Sequence, residues 1–296
     1  MSYFISVAQN LSFTKAAEEC CVAQTAISQQ ISAFEDEVGF VLLNRNKRSV
    51  KLTPAGEYFY QQGISIIKQF DNAVERGRLI SQGFGGSLKI GFYGLYEQMV
   101  MKRILQDFRV AHPTIYVDVA QHNSKDLIRL LEDGCLDAVC ELRHNLEGIR
   151  DAEIKDIISD FSVFGISKNN PLARKDFLTA EDLKTQPLIT TDEEDLPQNF
   201  QRVKTLYEGM GLNFRQISTV NSFYSLMMAL EMGLGVAVLP SGIGAFCHDF
   251  DIKLIPVREL NAPVKISVAR KKNSKNPVLK KFFQEIEEME IPRYIH

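Results

Sequence analysis

The chain lacks most features that announce metal binding, export or catalysis. Its five cysteines, Cys20, Cys21, Cys135, Cys140 and Cys247, form no CxxC pair, and its five histidines are scattered, so no metal-ligand spacing is present. No charged start followed by an apolar stretch marks the N-terminus, and no apolar run approaches the ~20 residues that a membrane span needs. These absences lead us to expect a cytoplasmic protein without membrane contact. P-loop, GxSxG and HExxH motifs are missing, and Lys89-Ile90-Gly91-Phe92-Tyr93-Gly94 lacks the third glycine of a dinucleotide fingerprint. Neither an enzyme nor a cofactor is expected. A formal net charge of −3 excludes a broadly basic nucleic-acid coat, so any such affinity must come from a local patch. With 296 residues and 45% hydrophobic content, two or three domains with real cores are expected.

A local basic patch is present, and its neighbours give it meaning. A short helix over Thr14 to Cys20 carries Ala16 and Ala17, small enough for a second helix to cross closely. After a brief turn, the spacing predicts a helix from Gln24 to Val38, stopped by Gly39. On it Ile27, Ile31, Phe34 and Val38 form one buried stripe. Gln24, Thr25, Ser28, Gln29 and Ser32 lie on a second stripe, rotated by roughly 120° at 3.6 residues per turn. Any amphipathic helix has a polar face; this one is short and uncharged, which suits hydrogen bonding to base edges in a major groove. Next comes Asn44-Arg45-Asn46-Lys47-Arg48-Ser49-Val50-Lys51-Leu52, with four cations and no acid. A tight basic turn between two extended pieces can lie along phosphates while the helix beside it reads bases.

In this order, the segments resemble the winged helix-turn-helix of LysR-type transcriptional regulators. The resemblance rests on Ser12-Phe13-Thr14-Lys15-Ala16-Ala17, Gln24-Thr25-Ala26-Ile27-Ser28, Glu35, Leu42-Leu43-Asn44-Arg45 and Leu52-Thr53-Pro54-Ala55-Gly56. It implies double-stranded promoter DNA as a partner, with Gln24, Thr25, Ser28 and Gln29 reading bases and Lys15, Arg45, Lys47 and Arg48 on phosphates. Three departures stand out. Ala23 replaces the usual Ser as N-cap of the reading helix, a loss that costs ~0.5–2 kcal/mol. Leu43 replaces an aromatic, and the chain opens several residues later than its relatives. Peroxide-sensing members carry a cysteine pair in the second effector subdomain, whereas this chain has no cysteine from Glu141 to Phe246.

Thr53-Pro54 then opens a long helix, Thr as N-cap and Pro at the first position, running to about Gln82 and so about 44 Å long. Its stripe Ile64, Ile67, Phe70, Val74 and Ile80 could pack on its own small domain, or on a mate. The family resemblance implies the latter, a dimerisation helix in a homodimer or homotetramer. Gly83-Phe84-Gly85-Gly86 ends it as a hinge.

From Ser87 onward strands and helices alternate, which implies a parallel sheet with helices on both faces. Expected strands include Leu88–Phe92, Tyr116–Val119, Asp137–Cys140, Phe161–Ser167, Pro187–Thr190, Gln216–Val220 and Gly235–Pro240. Lys265–Ala269 and the helix Val278–Met289 return to the first lobe. The fold class expected is α/β: an all-α-rich N-terminal winged helix-turn-helix (1–53), a linker helix and hinge (54–86), and a two-lobed effector domain like a periplasmic binding protein (87–296). Its first lobe would be 87–160 plus 265–296 and its second 161–264. An export-tagged solute-binding protein is the rival reading, opposed by the reading head and by the missing signal.

Open α/β sheets bind ligands beyond strand carboxyl ends, where helix N-termini favour small anions, often a carboxylate. The places that fit are Gly94-Leu95-Tyr96, Asn123-Ser124, Asn221-Ser222-Phe223 and Thr190-Thr191; ordinary capping explains Ser124 and Ser222 equally well. Through the family resemblance, Gly94, Leu95, Tyr96, Ser124, Thr190, Thr191, Ser222 and Phe223 are the expected contacts of a small-molecule effector. Relatives carry hydroxyls where Gly94 and Leu95 stand, so Tyr93 or Tyr96 would have to donate instead. Arg143 and His144 would balance a charge or face solvent, and Met227, Met228 and Met232 are expected in the core. RNA polymerase is the further partner that regulation implies.

Overall fold

The computed structural model describes residues 1–46, 49–191, 197–212, 217–220, 222–258 and 262–288, which divide into two compact units, Met1–Arg78 and Leu79–His296. In the first unit α1 (Ser2–Asn10), α2 (Phe13–Glu19) and α3 (Gln24–Val38) precede a hairpin of β1 (Leu43–Asn46) and β2 (Ser49–Leu52), and α4 (Pro54–Ser81) follows. Ser12 caps α2 by accepting the Lys15 N–H, and Gly39 ends α3 in the left-handed conformation that a side chain resists. Ala23 offers α3 no side-chain cap. Helix α1 is packed, with Phe4, Ile5, Val7 and Ala8 buried against Ala16, Ala17, Ile27, Ile31, Leu42 and Leu43. Phe34 and Val38 close this core from its edge.

Two polar devices hold the hairpin to the helices. Glu35 Oε1 accepts the Leu42 and Leu43 N–H groups at 2.8 and 3.0 Å, so the acid near the end of α3 fixes the chain entering β1. At the exit, Thr53 caps α4 by accepting the Gly56 N–H at 2.8 Å while its hydroxyl donates to the Val41 carbonyl. Gly56 must lack a side chain, since a Cβ there would lie 2.0 Å from the Leu42 carbonyl oxygen. Further along α4, Ile64 and Ile67 pack on the small core, whereas Phe70 and Val74 are 66% and 46% exposed.

The second unit is built from β3 (Gly86–Phe92), α5 (Leu95–Ala111), β4 (Ile115–Gln121), α6 (Ser124–Glu132), β5 (Ala138–Leu142), α7 (Arg143–Leu146) and β6 (Ala152–Ser167). It continues with α8 (Ala180–Leu183), β7 (Leu188–Thr191), α9 (Pro197–Gly209), β8 (Ile217–Val220), α10 (Phe223–Glu231), β9 (Val236–Pro240), β10 (Ile252–Ile255), β11 (Pro263–Lys271) and α11 (Pro277–Glu288). The strands lie in the order β4-β3-β5-β11-β6-β9-β7-β8, with β10 also on β6.

Several expectations need correction. The sheet is mixed, not parallel: β3 pairs parallel with β4 and β5, but β11 runs antiparallel to both β5 and β6. The expected strand Phe161–Ser167 is only the second half of β6. The first half of β6 pairs with β11 and the second with β9 and β10, so one strand serves both lobes. The polar and charged residues of its first half hide its strand character; Asp156, for example, pairs with Arg143, Lys265 and Ser267. Of the three methionines only Met227 is buried; Met228 and Met232 lie on the solvent side of α10. Asn123, not Ser124, caps α6, accepting the Asp126 N–H at 2.8 Å. Strand β11 pairs with β5, and Phe282 and Phe283 of α11 lie in one core with Leu88 and Ile90 of β3.

Candidate functional site

In the first unit the short α2 and its cap set the crossing with α3, and Ile27 and Ile31, buried beneath, turn the opposite side of α3 outward. Gln24, Thr25 and Gln29 are exposed and Ser28 is half-buried, so these four share one accessible face; Lys15 is exposed on α2. Gln24 Oε1 accepts from the Thr14 hydroxyl at 3.2 Å, which ties the start of the face to α2. Beside it stands the hairpin, in which Arg45 pairs with Val50 and Asn44 with Lys51. Lys47 and Arg48 lie outside the described residues, as does the side chain of Arg45.

The second unit holds a cleft between its lobes. A cavity of about 70 Å³, open to solvent on one side, is lined by Tyr93, Tyr96, Glu97, Leu142 and Asn145 from one lobe and by Asn199, Phe223, Leu226, Val238 and Leu239 from the other. Among the expected contacts, Tyr96 and Phe223 reach this space, and Gly94 adjoins it, its Cα next to the Phe223 ring. Leu95 is half-buried at the first position of α5. Ser124, Thr190 and Ser222 do not line it: Ser124 is buried beside Glu141, Thr190 is buried, and Ser222 caps α10. Asn221 and the Thr191 side chain lie outside the described residues.

The chemistry of the cleft is acidic. Tyr96 gives its hydroxyl to Asp160 at 2.9 Å, so it offers the space its ring; Gly242 N–H and the Ser241 hydroxyl converge on the same carboxylate. The Gly94 N–H, free for an anion by the expectation above, already donates to Glu97 Oε2 at 2.9 Å. Glu97 is therefore an N3 carboxylate turned back on its own helix start, half of a capping box in which glycine has no side chain to return. Burial raises the Glu97 pKa to about 7 against the pull of the backbone N–H groups, and burial together with Glu97 raises Glu141 to about 8. On α7, in the same lobe as Glu97, burial and then the Arg202 guanidinium lower His144 to about 4, and this neutral ring bonds Asn199 across the lobes at 3.3 Å. Arg143 pairs with Asp156 at 2.8 Å.

Sequence reasoning missed Glu97 and Asn145. Glu97 carried a readable signal, an acid three residues after a helix-start glycine. Asn145 carried none, because its neighbours in the cleft are remote in sequence.

Residues 1–57 match the family model of the bacterial regulatory helix-turn-helix protein, lysR family, and residues 81–290 match that of the LysR substrate binding domain. The chain belongs to the LysR family. It is a DNA-binding transcription regulator with an effector-binding domain and not an enzyme. This LysR regulator is similar to the Hca operon transcriptional activator HcaR of Escherichia coli, 30% identical with 97% of this chain and 96% of HcaR covered. It is also similar to the regulator AlsR of Bacillus subtilis, 28% identical with 95% and 92% covered. Crystallised CbnR, a LysR family regulator, shares its fold with a TM-score of 0.73 at 21% identity over 97% of this chain and 96% of CbnR. CbnR complexed with its target DNA gives 0.74 at 22% identity, with 97% of each chain covered. Among the described residues no helix is long and apolar enough to cross a membrane, and no three His, Cys, Asp or Glu side chains group as metal ligands.

Proposed function

We propose that this LysR regulator works in the cytoplasm as a homodimer or homotetramer. Gln24, Thr25, Ser28 and Gln29 read promoter bases, while Lys15, Arg45, Lys47 and Arg48 hold phosphates. The observation that carries this reading is the exposed polar face of α3 beside the hairpin, above a core that fixes both. Exposure of Phe70 and Val74 supports α4 as a dimerisation helix, with residues 54–86 as linker and hinge between a reading head (1–53) and an effector domain (87–296). A small molecule held in the interlobe cleft near Gly94, Tyr96 and Phe223 favours one closure of the lobes. That closure changes the spacing of the reading heads and the access of RNA polymerase, a population shift set by differential affinity for the two states.

The test is fluorescence anisotropy of the purified protein on the DNA upstream of its own gene, over a salt series, with a scrambled duplex as control. Gln29→Ala is expected to relax preference by ~1–3 kcal/mol at one base position. Arg48→Ala is expected to weaken all DNA alike and flatten the salt dependence. Equal affinity of the unaltered protein for both duplexes would sink the base-reading role. Leu142→Trp, which fills the cleft, is expected to abolish any change that a small molecule makes in DNA affinity, and a response that survives it places the effector elsewhere.

A further inference from the structure

Three buried polar side chains gather on the first-lobe side of the cleft, and two of them, Glu97 and Asn145, line it. Glu97, Glu141 and Asn145 are 4%, 1% and 1% exposed. Glu141 Oε1 accepts from the Leu142 N–H at 2.8 Å and from Asn145 Nδ2 at 3.0 Å, while its Oε2 has no hydrogen-bond partner. The Asn145 amide turns its NH₂ to Glu141, its carbonyl oxygen is buried and unpaired, and the residue lines the space. Glu97 lines the same space. Among the described residues, no Lys, Arg or His forms an ion pair with either carboxyl. A buried oxygen without a donor is costly, and a buried carboxyl gives up its proton most readily to a partner that brings N–H donors and positive charge.

We infer that the cleft takes a small organic amine, its ammonium held by Glu97 and the Asn145 carbonyl oxygen and its apolar body resting on Phe223, Leu226 and Leu239. This rests on the effector reading above and gives that effector a chemical class. An ammonium has three donors and no acceptor, the complement of this wall. A carboxylate effector meets the reverse: the Gly94 N–H is already taken by Glu97, and a second carboxylate would face the first at short range with little water to screen it.

The test is calorimetric titration of the full-length protein with benzylamine, benzyl alcohol and benzoate, which share a ring and differ in the polar group. Benzylamine is expected to bind at least about ten-fold more tightly than the alcohol, and benzoate not at all. Glu97→Gln keeps an acceptor for the Gly94 N–H and removes the charge; it should erase most of the amine's advantage while leaving the alcohol's affinity in place. Thermal unfolding of each variant confirms a folded domain. Tighter binding of benzoate or the alcohol, lost in Leu142→Trp, overturns the amine and keeps the cleft as the effector site. Amine binding that survives Leu142→Trp overturns both. Absence of amine binding at millimolar concentration overturns the amine and leaves the cleft to the DNA-affinity test.

Discussion

The reading head and the cleft are built over different lengths of chain. What shapes the head lies within Ser2–Ile67: one face of one helix, a hairpin of four-residue strands, caps made by neighbours in sequence, and the first turns of α4 closing the core. The cleft draws residues from Tyr93 to Ile243 and depends on β6 and β11 carrying the chain between lobes. The head therefore fails through single local defects, whereas the cleft responds to changes in charge balance far from any one segment.

The largest expected effect is at Gly56. Gly56→Val places a side chain against the Leu42 carbonyl, which should cost about 3 kcal/mol or more and abolish DNA binding. Calorimetry should show the first transition lost and that of the effector domain unmoved; a shift in both would break the contrast. Glu35→Ala comes next, leaving two hydrogen-bonded N–H groups at the start of β1 without their acceptor, for about 1–3 kcal/mol. Glu35→Gln should recover part of this in denaturant unfolding, and equal loss in both variants would discount the hydrogen bonds.

The cleft is best probed by pH. Glu97 is raised from 4.5 to about 7 and Glu141 from 4.5 to about 8, so between those values the folded domain holds more protons than the unfolded chain. Stability should then fall as pH rises from about 4.5 through 7–8, by at most ~1.4 kcal/mol per pH unit for each group. Glu97→Gln should flatten the slope of Tm against pH; an unchanged slope would show that the two acids are not its source. The smallest effect is expected from Ala23→Ser, which supplies the missing cap of α3 and should stabilise the head by ~0.5–2 kcal/mol, read as a higher Tm of the first transition.

How much was legible follows the same division. The boundaries of α3, the cap at Thr53 and the buried alanines of α2 all followed from local signals: hydrophobic period, capping residues, small side chains. Glu35 was visible as a motif residue, but its role was not, because its partners are the backbone N–H groups of Leu42 and Leu43. The mixed sheet escaped notice because alternation of strands and helices does not state strand direction. The exposed Met228 and Met232 escaped for a related reason: in a short, mostly apolar helix the period says little about which side meets the core.

The sequence by itself determined a LysR-type head followed by a two-lobed α/β domain, since periodicity, caps and motif order act over a few residues and survive without tertiary context. Tertiary structure alone decided what the cleft offers a ligand. Tyr96 gives its hydroxyl to Asp160, Ser241 and Gly242 converge on the same carboxylate, and Phe223 and Leu239 come to line the space beside Asn145. Those outcomes depend on which polar groups meet when water is excluded, and residues distant along the chain settle them by where the sheet places them.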